Sequence, residues 1–274
     1  MKTLFISYKN ELNSKYSSHE ISLMFRELAS KHCNIPVQKL YFPEDITCQE
    51  EQKQLLLADL QRLQSGEPFQ YVLGYTEFCG LMLNVDENVL IPRQETSELI
   101  EWINANEASL GKILDIGTGS GCIALALKKQ YPNAEVWAVD KSAGALKVAS
   151  KNADETGLFV NFRELDMLTD LGKLPSDFDI VVSNPPYIMP SEKVDMPEDV
   201  LTYEPHLALF APEEDPLIYY RAVAKFAHKC SAAVYFEINP LLSSQTYEML
   251  LEIGFTQIKI KEDISKKPRM IWAK

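Results

Sequence analysis

Beyond residue 110 the chain alternates between short apolar runs and longer amphipathic stretches, and few architectures accept that pattern. "KILDIG", "AEVWAVD", "FVNFREL", "FDIVVSN" and "AAVYFEI" read as strands. "SGCIALALKKQYP", "SAGALKVASKNADETG", "DPLIYYRAVAKFAHKC" and "LLSSQTYEMLLEIG" read as helices. Apolar strands separated by helices form a parallel sheet covered on both faces, and such sheets bind ligands beyond the C-terminal ends of their strands. The closing runs "FTQIKI" and "RMIWAK" have no helix between them, so they pair antiparallel at an edge. The expected fold class is α/β, a mostly parallel seven-stranded sheet with an antiparallel edge strand.

The preceding residues have a different texture. Residues 1–73 are predicted to form a small helical domain. Ile21, Met24, Phe25 and Leu28 share one helical face, and Ser17 with Glu20 forms a capping box before it. Thr47 and Glu50 repeat that box before "QKQLLLADLQRLQSG", which Gly66 ends. Residues 74–92 alternate and carry Gly80 and Asn84 at turns, the pattern of a β-hairpin linker. Residues 93–274 then hold the sheet domain.

Bulk properties exclude several classes. Net charge is −12, from 27 basic and 39 acidic residues, which argues against a broad basic footprint on nucleic acid. The N-terminal "MKTLFISYKNEL" lacks the apolar core of a signal peptide, and no run approaches the ~18 apolar residues of a membrane span. Cys33, Cys48, Cys79, Cys122 and Cys230 are odd in number and form no C-x-x-C pair. They read as free buried thiols of a cytoplasmic protein, with no metal site.

Two loops carry chemistry. The first follows the strand ending at Asp115: Gly117-Thr118-Gly119-Ser120-Gly121. Its glycines permit close backbone approach. The dinucleotide pattern G-x-G-x-x-G would put its third glycine at Cys122, and the P-loop Gly-Lys-Ser/Thr is absent. G-x-G-x-G suits a ligand without pyrophosphate. Asp140 ends the next strand, where a carboxylate can accept from both ribose hydroxyls. Asp166 and Met167 follow the third strand and are candidates for an adenine, through its amino group and its face. The second loop, Asn184-Pro185-Pro186-Tyr187, stops the fourth strand. Each proline fixes φ and removes a donor, leaving a stiff loop with one amide side chain, a carbonyl and an aromatic ring.

Together these residues resemble the class I S-adenosylmethionine-dependent methyltransferases, of Rossmann-like fold, that modify planar NH2 groups. The segments "PFQYVLGYTEFCGLMLNVDENVLIPRQETSELI", "SNPPYI" and "YEPHLALFA" narrow the resemblance to the release-factor glutamine methyltransferase (HemK/PrmC-like) family. The chain departs from the family pattern at Gln94, Ser97, Met167 and Asn239. The resemblance implies S-adenosylmethionine as cofactor, held by Asp115, the glycine loop, Asp140, Asp166, Met167 and Asn184. It also implies a protein substrate, the glutamine of the Gly-Gly-Gln loop in class I peptide-chain release factors, at Asn184, Pro185, Pro186 and Tyr187.

The chemistry fits those residue types. A carboxamide nitrogen is a poor nucleophile, and no side-chain base removes its proton cheaply. Acceptors on both N–H bonds, the Asn184 side-chain oxygen and the Pro185 carbonyl, can orient the nitrogen, and their bonds strengthen as positive charge develops. Tyr187 can stack on the flat amide and exclude water.

Arg93, Glu95 and Thr96 form either a lid or an ion pair and cap at the domain junction. Glu204 and Pro205 shape a pocket wall, and Glu237 has no assigned role. His206 and His228 lie in no catalytic or metal-ligand pattern. Two other readings remain: a nucleic-acid methyltransferase acting on adenine N6 or guanine N2, and a non-catalytic release-factor-binding protein. The helical domain is expected to recognise the substrate, and a monomer is the default.

Overall fold

The computed structural model describes residues 1–41 and 46–274. The chain divides into two compact units, Met1–Tyr75 and Thr76–Lys274.

The first unit packs α1 (Lys2–Leu12), α2 (Ser18–Cys33), α3 (Glu50–Gln64) and α4 (Phe69–Leu73) around Tyr8, Leu12, Phe25, Leu28, Leu56 and Leu63. Helix α2 starts at the predicted capping box: Glu20 N donates to Ser17 Oγ at 3.3 Å and Ser17 N to the Glu20 carboxylate at 2.7 Å. Helix α3 starts differently from the expectation. Gln49, not Thr47, is its cap, and Gln49 N donates to Gln52 Oε1 at 3.0 Å. Glu50 and Glu51 thereby fall in the first turn, where the exposed N–H groups favour negative charge.

A short hairpin follows, β1 (Tyr75–Phe78) and β2 (Leu81–Asn84). Cys79 and Gly80 turn it with φ of 49° and 70°, the backbone that matches strand twist in two-residue loops. The strands end at Asn84, so residues 85–92 extend past the hairpin without strand structure. Cys79 is exposed and the other four cysteines are only half-buried, all of them free thiols.

The rest alternates as the apolar pattern requires: α5 (Gln94–Asn106), β3 (Lys112–Ile116), α6 (Cys122–Gln130), β4 (Glu135–Asp140), α7 (Ala143–Thr156), β5 (Asn161–Glu164) and β6 (Ile180–Ser183). Two short helices, α8 (Glu198–Tyr203) and α9 (His206–Leu209), precede α10 (Ile218–Lys229), β7 (Ala233–Glu237), α11 (Ser243–Ile253), β8 (Ile258–Glu262) and β9 (Pro268–Ala273). Strand order is β5-β4-β3-β6-β7-β9-β8. The five strands from β5 to β7 pair parallel, and β9 runs antiparallel between β7 and the edge strand β8.

Alternation along each strand decides which side chain meets which helix. In β7, Ala233 and Tyr235 join the core with α5 and α6, while Val234 and Phe236 join the core with α10 and α11. Met270 and Trp272 against Ile271 and Ala273 repeat that division in β9. Glu237, the next residue of β7, therefore points to the α5 side. By the same count Asp115, two residues beyond Ile113 in β3, points to the α6 side. Two carboxylates are thus buried at the C-terminal ends of helix-covered strands on either side of β6.

The order reverses at β3: its chain successor β4 lies on one side and β6 on the other. At such a switch point the loops leaving adjacent strands diverge and open a crevice. Ser183 Oγ donates to the Ile116 carbonyl at 2.6 Å and pins the last pair of residues in register.

Two glycines of the loop after β3 make the turn possible and differ in their surroundings. A Cβ on Gly119 (φ +55°) would meet nothing within 4 Å, whereas one on Gly121 (φ +81°) would lie 3.2 Å from Ala149 Cβ in α7. Both alanine substitutions carry the left-handed cost of about 1–2 kcal/mol. Gly121→Ala should lose a further ~1–3 kcal/mol through that contact. Urea unfolding of the two variants checks the difference.

Candidate active site

The glycine loop is held from below and open above. Gly117 N and Thr118 N donate to the Val139 carbonyl at 2.8 and 3.0 Å, tying the loop to the end of β4. Asp115 is fully buried beneath it, and its Oδ2 accepts from Thr118 Oγ1 at 2.6 Å and from Ala124 N at 3.2 Å. Its Oδ1 and the Ser120 Oγ are buried without a partner among the described residues. Burial pushes the Asp115 carboxyl up to about 7; the bonds from Thr118 and Ala124 oppose the rise. A protonated Asp115 at neutral pH would be a donor in the loop rather than a fixed charge.

Asp140 closes the other side of the loop. Its Oδ2 accepts from Gly119 N at 2.9 Å and its Oδ1 from Ser142 N at 2.8 Å. Each oxygen keeps a lone pair, so the carboxylate can still accept from a vicinal diol. Asp166 is occupied differently: Lys141 Nζ pairs with it at 2.8 Å and Leu168 N donates to it at 2.9 Å. The Lys141 bond holds its carboxyl below the usual range. Met167 Cε lies 3.4 Å from where a Gly117 Cβ would stand, so the thioether covers the loop.

These groups line one cleft of about 1060 Å³, part of it open to solvent. Gly117, Thr118, Gly119, Ser120, Asp140, Asp166, Met167 and Asn184 all contribute to its walls. Gly121, by contrast, lies behind the loop against α7, as its contact with Ala149 shows. A carboxylate for a diol, open space over Gly119, an orphan hydroxyl at Ser120 and apolar walls from Met167, Leu168 and Tyr219 fit a nucleoside without pyrophosphate.

The second loop leaves β6 alongside the first. Asn184 and Pro186 line the cleft; Pro185 is buried, and no donor among the described residues reaches its carbonyl. Tyr187 does not line the cleft. Its hydroxyl donates to Glu237 Oε1 at 3.0 Å, and its ring packs on the α10–α11 core. Asn239 Nδ2 donates to the Tyr187 carbonyl at 3.1 Å and to Glu192 at 2.7 Å, which fixes the chain after the loop.

The three residues before and at the start of α5 separate by role. Arg93 donates to Glu204 at 2.5 Å, and Ile91 N reaches the same carboxylate at 3.3 Å. Glu204 is buried, and burial raises its pKa against the pull of Arg93. Glu95 is half-buried. Thr96 is 2% exposed and donates from Oγ1 to Glu237 Oε2 at 2.6 Å. Glu237, at 1% exposure, thus joins α5 to the tetrapeptide loop. His206 lies outside this constellation, bonded to the Leu201 carbonyl, and His228 packs on Phe255.

Comparison with known proteins agrees with this geometry. Residues 94–202 match the family described as Methyltransferase small domain, and residues 4–74 match the PrmC N-terminal domain. A release factor glutamine methyltransferase of Flavobacterium psychrophilum is 46% identical over 220 residues, covering 77% of each chain. One from Bacteroides thetaiotaomicron is 37% identical over 268 residues, 97% of this chain and 96% of the relative. The chain belongs to the release factor glutamine methyltransferase family.

Among solved structures, the hMettl16 catalytic domain in complex with a MAT2A 3′UTR hairpin aligns with a TM-score of 0.60 at 15% identity, over 91% of this chain and 90% of that one. At that identity the likeness is one of fold. Among the described residues no helix is long and apolar enough to cross a membrane, and no cluster of three or more His, Cys, Asp or Glu is placed to hold a metal.

Sequence reasoning missed three features of the site. Glu237 stood in view as a carboxylate inside the apolar run "AAVYFEI", a signal of a paired buried charge. Tyr219 gave none, because it reaches the cleft only through the packing of α10. The bonds of Asn239 likewise depend on a residue 47 positions away.

Asp115 yields a pH test with a definite sign. Its folded pKa is raised, so its contribution is fully present below the ordinary aspartate pKa and is lost as pH rises through about 7. Between pH ~4 and pH ~7 the unfolded chain gives up this proton while the folded chain keeps it. The stability of the Asp115→Asn variant minus that of the parent should therefore rise across that window and level off above it. Urea unfolding of both proteins over a pH series measures the difference.

Proposed function

We propose that this protein transfers a methyl group from S-adenosylmethionine to the side-chain nitrogen of the glutamine in the Gly-Gly-Gln loop of class I peptide-chain release factors. The products are N5-methylglutamine and S-adenosylhomocysteine. The observation that carries the reading is the state of Asn184. Its Nδ2 is turned to Thr96 Oγ1 at 3.4 Å, and its Oδ1 has no donor among the described residues, in a side chain that lines the cleft beside the glycine loop. Membership of the family and the names of its relatives support the choice of amide.

S-adenosylmethionine, when bound, supplies an electrophilic methyl on a sulfonium. Asp140 would accept from its ribose hydroxyls, Met167, Leu168 and Tyr219 would cover its base, and Asp166 with Lys141 would hold its amino edge. Thr118, Gly119 and Ser120 pass alongside, where the absence of a Cβ at Gly119 leaves room.

Asn184 Oδ1 and the Pro185 carbonyl accept from the two N–H bonds of the substrate amide. Held this way, the nitrogen presents its lone pair to the methyl. The N–CH3 bond forms as the S–CH3 bond breaks, and one amide proton then leaves to solvent. The acceptors interact more strongly as the nitrogen becomes positive, so they favour the transition state over the bound substrate. Pro186 walls the pocket, and the Tyr187 hydroxyl bond to Glu237 keeps the loop from yielding. Residues 1–73 supply contacts to the release factor beyond the glutamine, and the protein acts in the cytoplasm as a monomer.

Incubation with labelled cofactor and a class I release factor, its Gln→Ala loop variant, RNA and DNA tests the reading. Label is expected on the intact release factor alone. Label on nucleic acid, or label unchanged in the loop variant, overturns the substrate assignment. Asn184→Ala should retain cofactor binding and lose turnover by about 100-fold or more. Asp140→Ala should weaken cofactor binding, and calorimetric titration separates the two effects.

A further inference from the structure

A carboxamide has two ends of nearly equal size and opposite character. If Asn184 turned over about its last torsion, it would offer N–H donors to a substrate amide that presents N–H donors itself. An asparagine free in a cleft would sample both orientations. Something has to choose, and the tetrapeptide contains no group that can.

We propose that Thr96 and Glu237 are positioning residues that fix the Asn184 carboxamide with its oxygen toward the acceptor nitrogen. The inference rests on the reading above, in which Asn184 Oδ1 receives an N–H bond from the substrate. A carboxylate can only accept, so the one hydroxyl proton of Thr96 is committed to Glu237 Oε2 at 2.6 Å. The lone pairs of Thr96 Oγ1 are then all it has to offer Asn184. Only the amide NH2 end can meet them, and it does so at 3.4 Å. That contact is long for a hydrogen bond, and the choice of end follows from which group can donate to Thr96 Oγ1.

The other oxygen of Glu237 accepts from the Tyr187 hydroxyl at 3.0 Å. One buried carboxylate thus holds both ends of Asn184-Pro185-Pro186-Tyr187, the far end directly and the near end through Thr96. The groups facing it set its charge state. Thr96 and Glu95 approach from α5, Tyr187 from the loop and Arg269 from β9. Arg269 is itself held by Asp263 at 3.2 Å, and Tyr220 of α10 donates to the Glu237 carbonyl at 3.3 Å. Burial raises the Glu237 pKa, opposed by the bonds from Thr96 and Tyr187 and by Arg269. Protonated Glu237 could donate to Thr96, free the hydroxyl proton and let the amide invert. Turnover should therefore fall as pH drops through the Glu237 pKa, and it should do so without loss of cofactor affinity.

The decisive experiment compares Thr96→Val, Thr96→Ser, Asn184→Asp and the Asn184→Asp/Thr96→Val double variant. The rates are read on whichever NH2 group the parent protein methylates. Thr96→Val should lower kcat on the order of 10-fold to 100-fold, with cofactor Kd within about twofold. Thr96→Ser keeps the hydroxyl and should stay within about threefold of the parent. Asn184→Asp presents two equivalent oxygens with no orientation to choose, so valine at position 96 should cost less than about threefold in that background. Equal losses in both backgrounds, full activity of Thr96→Val, or serine no better than valine overturns the proposal.

If Asn184→Asp abolishes turnover, the serine rescue decides alone. If Thr96→Val does not fold, Thr96→Ala takes its place with the same expectation. A parent that labels nucleic acid instead of the release factor defeats the substrate reading and leaves this comparison intact. A parent that labels the glutamine while Thr96→Val keeps its full kcat defeats the positioning role alone.

Discussion

The pairing of β3 with β6 is the constraint on which the site depends. These strands are neighbours in the sheet although two helices and two other strands separate them in the chain. Their parallel register ends with Ile116 opposite Ser183, and the Ser183 hydroxyl is spent on the Ile116 carbonyl. One residue beyond that pair the backbone becomes the glycine loop on one strand and Asn184 on the other. A slip by one residue would turn every side chain of β6 to the opposite face. Asn184 would then leave the cleft, and Ile180 and Val182 would lose the α5–α6 core. Packing and function therefore demand the same register, and the hydrophobic effect enforces it.

The C-terminal rim of the sheet carries a cost that the rest of the core offsets. Asp115, Glu204 and Glu237 are all buried, and burial raises the pKa of each. Each is surrounded by donors: Thr118 and Ala124 N, Arg93 and Ile91 N, Thr96 and Tyr187. A buried carboxyl group held by several donors is rigid, because each donor fixes its orientation and losing one leaves a polar atom unsatisfied. The three lie under the glycine loop, between α8 and α9, and under the tetrapeptide. Stiffness is thereby concentrated where two substrates have to be aligned.

Much of this was legible in the chain itself, for definable reasons. Strand and helix periods differ, so the alternation after residue 110 announced the parallel sheet, and glycine and proline placed both loops at strand ends. Local chemistry read well where it was local: the Ser17–Glu20 box formed as expected. It failed where two local solutions competed, as at Thr47 and Gln49, since either side chain could have capped α3. Relations over long separations were not legible. Thr96 and Glu237 are 141 residues apart, and nothing in "RQETSEL" announces that its threonine points inward to a carboxylate. For the same reason Tyr187 read as a stacking ring, whereas its hydroxyl is committed to Glu237 and it does not line the cleft.

The position of β9 bears on how the molecule comes into being. β9 sits between β7 and β8, yet it is synthesised after both. Until β9 is in place β8 cannot join the sheet, because among the described residues β9 is the strand it pairs with. During that interval β7 presents an unpaired edge, and an open edge rich in Val, Tyr and Phe is a template for pairing with other chains. Completion of the sheet is thus a late insertion rather than an outward extension. Arg269, whose charge acts on Glu237, arrives on that same strand. The charge environment of the tetrapeptide's buried anchor is therefore assembled only when the sheet closes.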